Sequence, residues 1–151
     1  MTNIAVLVSG GGTNLQALID AEREGKIPGG RIVRVISSNP EAYALERAAA
    51  AGIASTVVRR RHYADAASFD AAVLAALEDC QAELVVLAGF LSILGEAVIA
   101  RYRNRILNVH PSLIPAFCGK GFYGLKVHQA ALEYGVKVTG ATVHFVNEIP
   151  D

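Results

Sequence analysis

The chain has 151 residues, of which 52% are hydrophobic and 19% are charged, and its formal net charge at pH 7 is zero. This length is sufficient to bury a single core, so residues 1–151 are expected to form one domain. The zero net charge gives no electrostatic footprint for nucleic acid or for an anionic membrane, and it therefore favours small molecules as partners.

The sequence also indicates a cellular compartment. Two cysteines, Cys80 and Cys118, are too few for a disulfide framework, and no secretory signal precedes the first predicted strand. The longest apolar runs, such as residues 84–87, are far shorter than the roughly 20 residues that a membrane helix needs. We therefore expect a cytoplasmic protein that makes no use of a membrane.

Apolar runs typical of strands covered on both faces alternate with helical apolar stripes along the chain. The predicted strands cover residues 3–8, 32–36, 54–58, 82–87, 105–109 and 136–146. The first predicted helix begins near residue 15. The other predicted helices cover residues 42–51, about 69–77, about 95–102 and 127–134. This alternation predicts an α/β fold with a doubly wound, mostly parallel sheet and helices on both faces, and it leaves an antiparallel final strand open.

A glycine-rich segment, Ser-Gly-Gly-Gly-Thr-Asn at 9–14, joins the first strand to the first helix. Glycines let the backbone approach a ligand closely, and the exposed amides at a helix start attract anions, so the segment predicts a phosphate site. A tight turn capped by Thr13 or Asn14 would use the same residues without a ligand. The segment lacks the Walker Lys-Ser/Thr pair and the third glycine of a dinucleotide fingerprint, which argues against nucleotide hydrolysis and NAD chemistry.

A second candidate site lies at the end of the fifth predicted strand. Pro111 removes a backbone donor and ends that strand, so Asn108 and His110 share one face where ligands of open α/β sheets bind. An amide and an imidazolium suit a developing oxyanion, and histidine moves protons near neutral pH, so the pair predicts acyl transfer. The alternative is that Asn108 caps a turn and His110 is a partly buried histidine bonded to the backbone.

Four sequence blocks occur together in a fixed order. They are Val-Ser-Gly-Gly-Gly-Thr-Asn-Leu-Gln at 8–16, Leu-Ala-Gly-Phe-Leu at 87–91, Leu-Asn-Val-His-Pro-Ser-Leu-Ile-Pro at 107–115 and Thr-Val-His-Phe-Val at 142–146. These blocks resemble the folate-dependent formyltransferases, and in particular the glycinamide ribonucleotide formyltransferase family. The resemblance covers residues 3–151 and implies a Rossmann-like enzyme that transfers the formyl group of 10-formyltetrahydrofolate to the amine of glycinamide ribonucleotide in purine synthesis.

The resemblance also implies which residues bind the two substrates. The phosphate of the ribonucleotide would be held by Gly12, Thr13 and Asn14. The folate pocket would be lined by Leu91, Ser92, Ile93, Leu94 and Asn108. The chain departs from well-known members of the family at Ser92 and Ala66, where those members carry basic residues associated with the folate.

The catalytic roles implied by the resemblance fall on three residues. Asn108 and His110 would polarise the formyl oxygen, and Asp151 matches the family's catalytic aspartate, which steers the imidazole charge and relays a proton from the attacking amine. His144 is expected to position the site rather than to transfer a proton. No metal is expected, because the histidines and acidic residues lack ligand spacing. A homodimer is one option for the assembly.

Two other functions fit parts of this pattern. Methionyl-tRNA formyltransferase and formyltetrahydrofolate hydrolase share the three catalytic residues, but the glycine-rich segment argues against both, and a tRNA enzyme should have a basic surface. A non-catalytic nucleotide-binding or dimerising domain is the alternative from another class. The family's sequences continue beyond the position of Asp151, so the C-terminal part of the domain is expected to be missing, with formyl transfer impaired more than ribonucleotide binding.

Overall fold

The structure, a computed structural model, describes residues 1–149, which form a sheet flanked by helices. The strands are β1 (Thr2–Val8), β2 (Gly30–Ser37), β3 (Ser55–Val57), β4 (Leu84–Leu87), β5 (Ile106–His110) and β6 (Thr142–Phe145). The helices are α1 (Thr13–Arg23), α2 (Ala44–Ala50), α3 (Ala66–Asp79), α4 (Glu96–Arg101) and α5 (Leu125–Tyr134), and a short 3-10 turn covers Arg60–His62. Within the described part of the chain, no helix is long and apolar enough to cross a membrane.

The six strands are arranged in the order β3-β2-β1-β4-β5-β6. Neighbouring strands from β3 to β5 run parallel, and β6 pairs antiparallel with β5. The predicted doubly wound, mostly parallel sheet is therefore confirmed, and the last strand, whose direction the sequence left open, is antiparallel. The direction of winding reverses between β1 and β4, and open α/β sheets bind ligands at such a reversal, beyond the carboxyl ends of the strands.

Apolar side chains cover both faces of the sheet in two separate clusters. Leu7 of β1 packs with residues of α3 and α4, whereas its neighbour Val6 packs with residues of α1 and α2, and both are fully buried. Successive side chains of a strand point to opposite faces, so a central strand between two helical layers must be apolar at every position. This explains the near-continuous apolar sequence of β1.

The last strand is shorter than the sequence predicted. The prediction covered residues 136–146, but β6 spans only Thr142–Phe145. Its partner β5 ends at His110, which pairs with Thr142, and Pro111 follows without a backbone N–H. Residues before Thr142 therefore have no strand beside them, and Val138 is 75% exposed.

Candidate active site

The segments with candidate site residues meet along one row at the carboxyl edge of the sheet. The strand register places Leu7 of β1 beside Leu87 of β4, Leu87 beside Asn108 of β5, and Asn108 beside His144 of β6. Adjacent strands are about 4.8 Å apart, so the turn after β1 and the end of β5 lie roughly 10 Å apart across β4. One extended small molecule can contact both.

The glycine-rich turn leaves the start of α1 open. Gly12 is the N-cap residue, with φ 78° and ψ 30°, and no side chain donates or accepts a capping hydrogen bond. The alternative in which Thr13 or Asn14 caps the turn is therefore wrong, and both residues are exposed. The first turn of α1 contains no acidic residue, so its unpaired N–H groups and the helix dipole favour an anion at this end.

Gly12 is packed tightly against α2. A Cβ atom added to Gly12 would lie 2.6 Å from Cβ and 2.8 Å from Cα of Ala44. The backbone N–H of Ala44 also donates to the carbonyl oxygen of Gly10, at 3.1 Å. The turn thus requires glycine at position 12 both for its positive φ and for its close approach to α2.

Ser9 joins the glycine-rich turn to the segment after β4. Its Oγ accepts a hydrogen bond from the N–H of Leu91 at 2.9 Å and lies 2.6 Å from Oγ of Ser38. The N–H of Ser9 donates to the carbonyl oxygen of Gly89 at 3.1 Å. The residue is 8% exposed, so these contacts connect the loops after β1, β2 and β4 below the surface.

The predicted folate-binding residues have different environments. Leu91 and Ile93 are 60% and 90% exposed, whereas Leu94 is buried in the cluster that also contains α3 and α4. The N–H of Gly95, at the end of the segment, donates to Oδ1 of Asp70 at 2.6 Å. The segment is therefore fixed at both ends and presents Leu91 and Ile93 between them.

Asn108 is held by a side chain of the neighbouring strand. Its Nδ2 donates to Nε2 of His144 at 3.1 Å, and Nδ1 of His144 donates to the carbonyl oxygen of Phe145 at 3.3 Å. An amide nitrogen can only donate and a carbonyl oxygen can only accept, so in this geometry Nε2 of His144 is the acceptor and Nδ1 is the donor. The alternative in which Asn108 caps a turn is wrong, because the residue lies within β5.

His110 is bonded to the loop that follows β5. It is 5% exposed, and its Nε2 donates to the carbonyl oxygen of Phe117 at 2.7 Å. This is the hydrogen bond to the backbone that the alternative interpretation of the sequence predicted for His110. Because a carbonyl oxygen can only accept, the bond requires a proton on Nε2. A ring that also donated from Nδ1 would have to be the imidazolium.

Thr142 ties the loop after β5 to β6. Its Oγ1 donates to the carbonyl oxygen of Ser112 at 2.7 Å and accepts from the N–H of Ile114 at 3.1 Å. Thr142 stands beside His110 in the strand register. The loop that binds the imidazole is thus held in place by the strand that binds the Asn108 amide.

Sequence reasoning missed several residues of this arrangement. Ser9, Phe117 and Thr142 were not among the candidates, and only Ser9 had a local signal, since it directly precedes the glycines. Asp151 lies outside the described residues. Among residues 1–149, no group of three or more His, Cys, Asp or Glu side chains could together hold a metal ion.

Comparison with known proteins places this arrangement in a family. Residues 2–151 match the family model described as formyl transferase. Phosphoribosylglycinamide formyltransferase of Haemophilus influenzae is 43% identical over 151 residues, which are 100% of this chain and 68% of that protein. The human trifunctional purine biosynthetic protein adenosine-3 is 43% identical over 148 residues, or 98% of this chain, but the chain spans only 14% of its length.

A solved structure gives the same result at the level of the fold. The crystal structure of glycinamide ribonucleotide transformylase 1 from Symbiobacterium toebii superposes with a TM-score of 0.91 at 46% identity, covering 100% of this chain and 68% of that one. The sequence match extends over the glycine-rich turn, β5 and β6, which are the segments that build the candidate site. By sequence and by fold, the chain belongs to the formyl transferase family.

Proposed function

We propose that the protein transfers the formyl group of 10-formyltetrahydrofolate to the amine of glycinamide ribonucleotide. The observation that carries this proposal is the uncapped start of α1 beside Gly12, two strands away from the Asn108 amide at the same sheet edge. A ribose 5-phosphate with a glycinamide arm can place its phosphate at the first point and its amine near the second. The names of the related proteins support the same reaction.

The ribonucleotide phosphate would bind the backbone N–H groups of Gly12, Thr13 and Asn14. Thr13 and Asn14 are exposed, and neither side chain caps the helix, so a phosphate can approach their N–H groups. A dianion also gains from the positive end of the α1 dipole.

The reaction requires stabilisation of a negatively charged oxygen. As the amine attacks the formyl carbon, a new C–N bond forms, the formyl oxygen gains negative charge and an ammonium proton must be removed. The oxyanion then collapses, the bond between the formyl carbon and the folate nitrogen breaks, and that nitrogen takes up a proton as tetrahydrofolate leaves. One N–H of the Asn108 amide donates to His144, and the second can donate to that oxygen. His110 would supply a second donor as the imidazolium, since its Nε2 proton is directed to Phe117.

Asp151 is proposed to accept the proton from the amine. The family resemblance supports this role, and the residue lies outside the described part of the chain.

Folate is proposed to bind along Leu91, Ser92, Ile93 and Leu94 and to reach Asn108. Of these, Leu91 and Ile93 have the exposed side chains that direct contact requires. The proposal implies a cytoplasmic enzyme acting on small molecules, and sedimentation would decide between monomer and homodimer.

The decisive experiment combines turnover with ligand affinity. Purified protein is supplied with 10-formyltetrahydrofolate and glycinamide ribonucleotide, and the formylated product is quantified. The variant Asn108→Ala should reduce the rate by about 10²- to 10³-fold, the usual effect of losing an oxyanion donor. Its ribonucleotide affinity, measured by calorimetry, should change little because the phosphate binds at a different strand end.

Matched substrates distinguish this reaction from its alternatives. The dephosphorylated riboside should bind far more weakly than the ribonucleotide, and methionyl-tRNA should not be formylated. Equal affinity for riboside and ribonucleotide would rule out the phosphate site. Normal turnover by the Asn108→Ala variant would remove that residue from the mechanism.

A further inference from the structure

We infer that Arg47 of α2 supplies the positive charge of the ribonucleotide phosphate site and fixes the shape of the glycine-rich turn. This inference rests on the proposed function and adds a residue that selects the phosphorylated substrate. Arg47 lies 35 positions after Gly12 in the chain, yet its Cδ atom would be 3.2 Å from a Cβ at Gly12. The side chain therefore borders the start of α1.

The guanidinium of Arg47 connects the two sides of this turn. Its Nε donates to the carbonyl oxygen of Gly11 at 2.7 Å, and its Nη1 donates to Oε1 of Gln16 at 3.4 Å. Gly11 precedes the N-cap and Gln16 lies in α1, so the group links the residues on either side of the predicted phosphate-binding N–H groups. These bonds add to the one from the Ala44 N–H to Gly10 in holding the turn against α2.

The same group retains hydrogen-bonding capacity for a ligand. A guanidinium has five N–H donors, and the contacts with Gly11 and Gln16 use two of them. Within residues 1–149, the other three have no hydrogen-bond or ion-pair partner. The first turn of α1 has no acidic residue, and none of the ion pairs found among residues 1–149 involves Arg47.

Tyr43 fixes the direction of the Arg47 side chain. The Arg47 guanidinium carbon lies 5.0 Å from the centroid of the Tyr43 ring, a distance typical of a cation–π contact. This contact restricts the positions that the guanidinium can take beside the turn. Lysine could replace the charge but could not bond Gly11 and Gln16 in the same geometry.

The test compares three variants that each change one arginine. Arg47→Met removes the charge and the hydrogen-bond donors, and Arg47→Lys keeps the charge alone. The control is Arg31→Met, which removes a charge from an exposed side chain at the opposite end of β2. Calorimetry gives the dissociation constants for glycinamide ribonucleotide and for its riboside. Thermal unfolding followed by circular dichroism shows that each variant is folded.

The inference predicts a loss that depends on the phosphate. Arg47→Met should weaken ribonucleotide binding about 10- to 100-fold, as expected for a lost charge-assisted bond, while riboside binding stays within about twofold. Arg47→Lys should fall between wild type and Arg47→Met, and Arg31→Met should match wild type. If Arg47→Met fails to fold, the phosphate selectivity of Arg47→Lys decides the question.

Three outcomes would contradict the inference, and they distinguish failure of the Arg47 role from failure of the phosphate site. If wild type prefers the ribonucleotide and Arg47→Met shows the same preference, the role of Arg47 is wrong and the proposed function stands. Equal losses for ribonucleotide and riboside in Arg47→Met would show that the residue only maintains the fold, which also overturns the inference. If wild type itself shows no preference for the phosphorylated ligand, the phosphate site fails, and the role of Arg47 fails with it.

Discussion

At the scale of single residues, the partners of the polar atoms determine where the protons are. Asn108 donates to His144 and His110 donates to Phe117, so the amide orientation and one imidazole proton are fixed before any substrate binds. Preorganised donors of this kind need no reorganisation when charge develops during a reaction.

Only part of this arrangement could be predicted from the sequence. The shared face of Asn108 and His110 follows from a strand period of two, and it needs no knowledge of the rest of the fold. The partner His144 is 36 residues away and depends on the antiparallel register of β5 and β6. The carbonyl of Phe117 belongs to a loop with positive φ at that residue, which no local pattern indicated.

Gly12 provides a residue-scale prediction with an internal control. Gly12→Ala should destabilise the protein by about 2–5 kcal/mol, because alanine is strained at positive φ and its Cβ would overlap Ala44. Gly10→Ala should have a much smaller effect, since a Cβ there meets nothing within 4 Å and the φ is not positive. Urea unfolding curves of both variants and of wild type would measure the difference.

The same two variants test the connection between packing and binding. The altered turn in Gly12→Ala should also weaken binding of glycinamide ribonucleotide, whereas Gly10→Ala should leave the affinity near that of wild type. Equal stability of the two variants would contradict the tight contact between Gly12 and Ala44.

At the scale of elements, a buried carboxylate connects α3 to the start of α4 and to the end of the segment at 91–95. Asp70 of α3 is 4% exposed, and it accepts hydrogen bonds from the N–H groups of Gly95, Ala97 and Val98 at 2.6, 3.0 and 3.2 Å. These N–H groups belong to the first turn of α4 and have no acceptor within the helix. The sequence predicted both helices but not this cap, because the capping residue lies 25 positions before Gly95.

Asp70→Ala should therefore destabilise the protein by about 1–3 kcal/mol, since buried donors of α4 lose their acceptor. Asp70→Asn keeps one acceptor oxygen and should cost less. The control is Asp65→Ala, which removes the exposed cap of α3 and a single bond to the N–H of Ser68. Denaturant midpoints give the ranking, and equal losses for Asp70→Ala and Asp65→Ala would show that burial adds nothing to the Asp70 cap.

At the scale of the whole molecule, the central strands β1 and β4 are more deeply buried than helix α5 and the edge strand β6. β1 and β4 are covered on both faces, and the side chains of residues 5–8 of β1 are fully buried. In α5 only Val127 and Ala131 are buried, while Leu132 and Tyr134 are each 81% exposed. The glycine-rich turn thus rests on the well-packed part of the molecule, whereas Asn108, which bonds to His144, depends in part on the less buried edge strand β6.

This asymmetry predicts two classes of amide hydrogen exchange. The N–H of Ala88, which donates to Leu7 beside the central strands, should exchange only when the whole molecule unfolds. The N–H of Val146, which donates to Ile106 at the sheet edge, should exchange through local opening at a lower free energy. Native-state exchange with increasing denaturant measures both values on one sample.

Local opening of β6 would remove His144 from the Asn108 amide while the glycine-rich turn stays intact, so ribonucleotide binding should persist to the global transition. Equal opening free energies for Val146 and Ala88 would mean that the sheet behaves as one cooperative unit and that the glycine-rich turn and the contact of Asn108 with His144 are lost together.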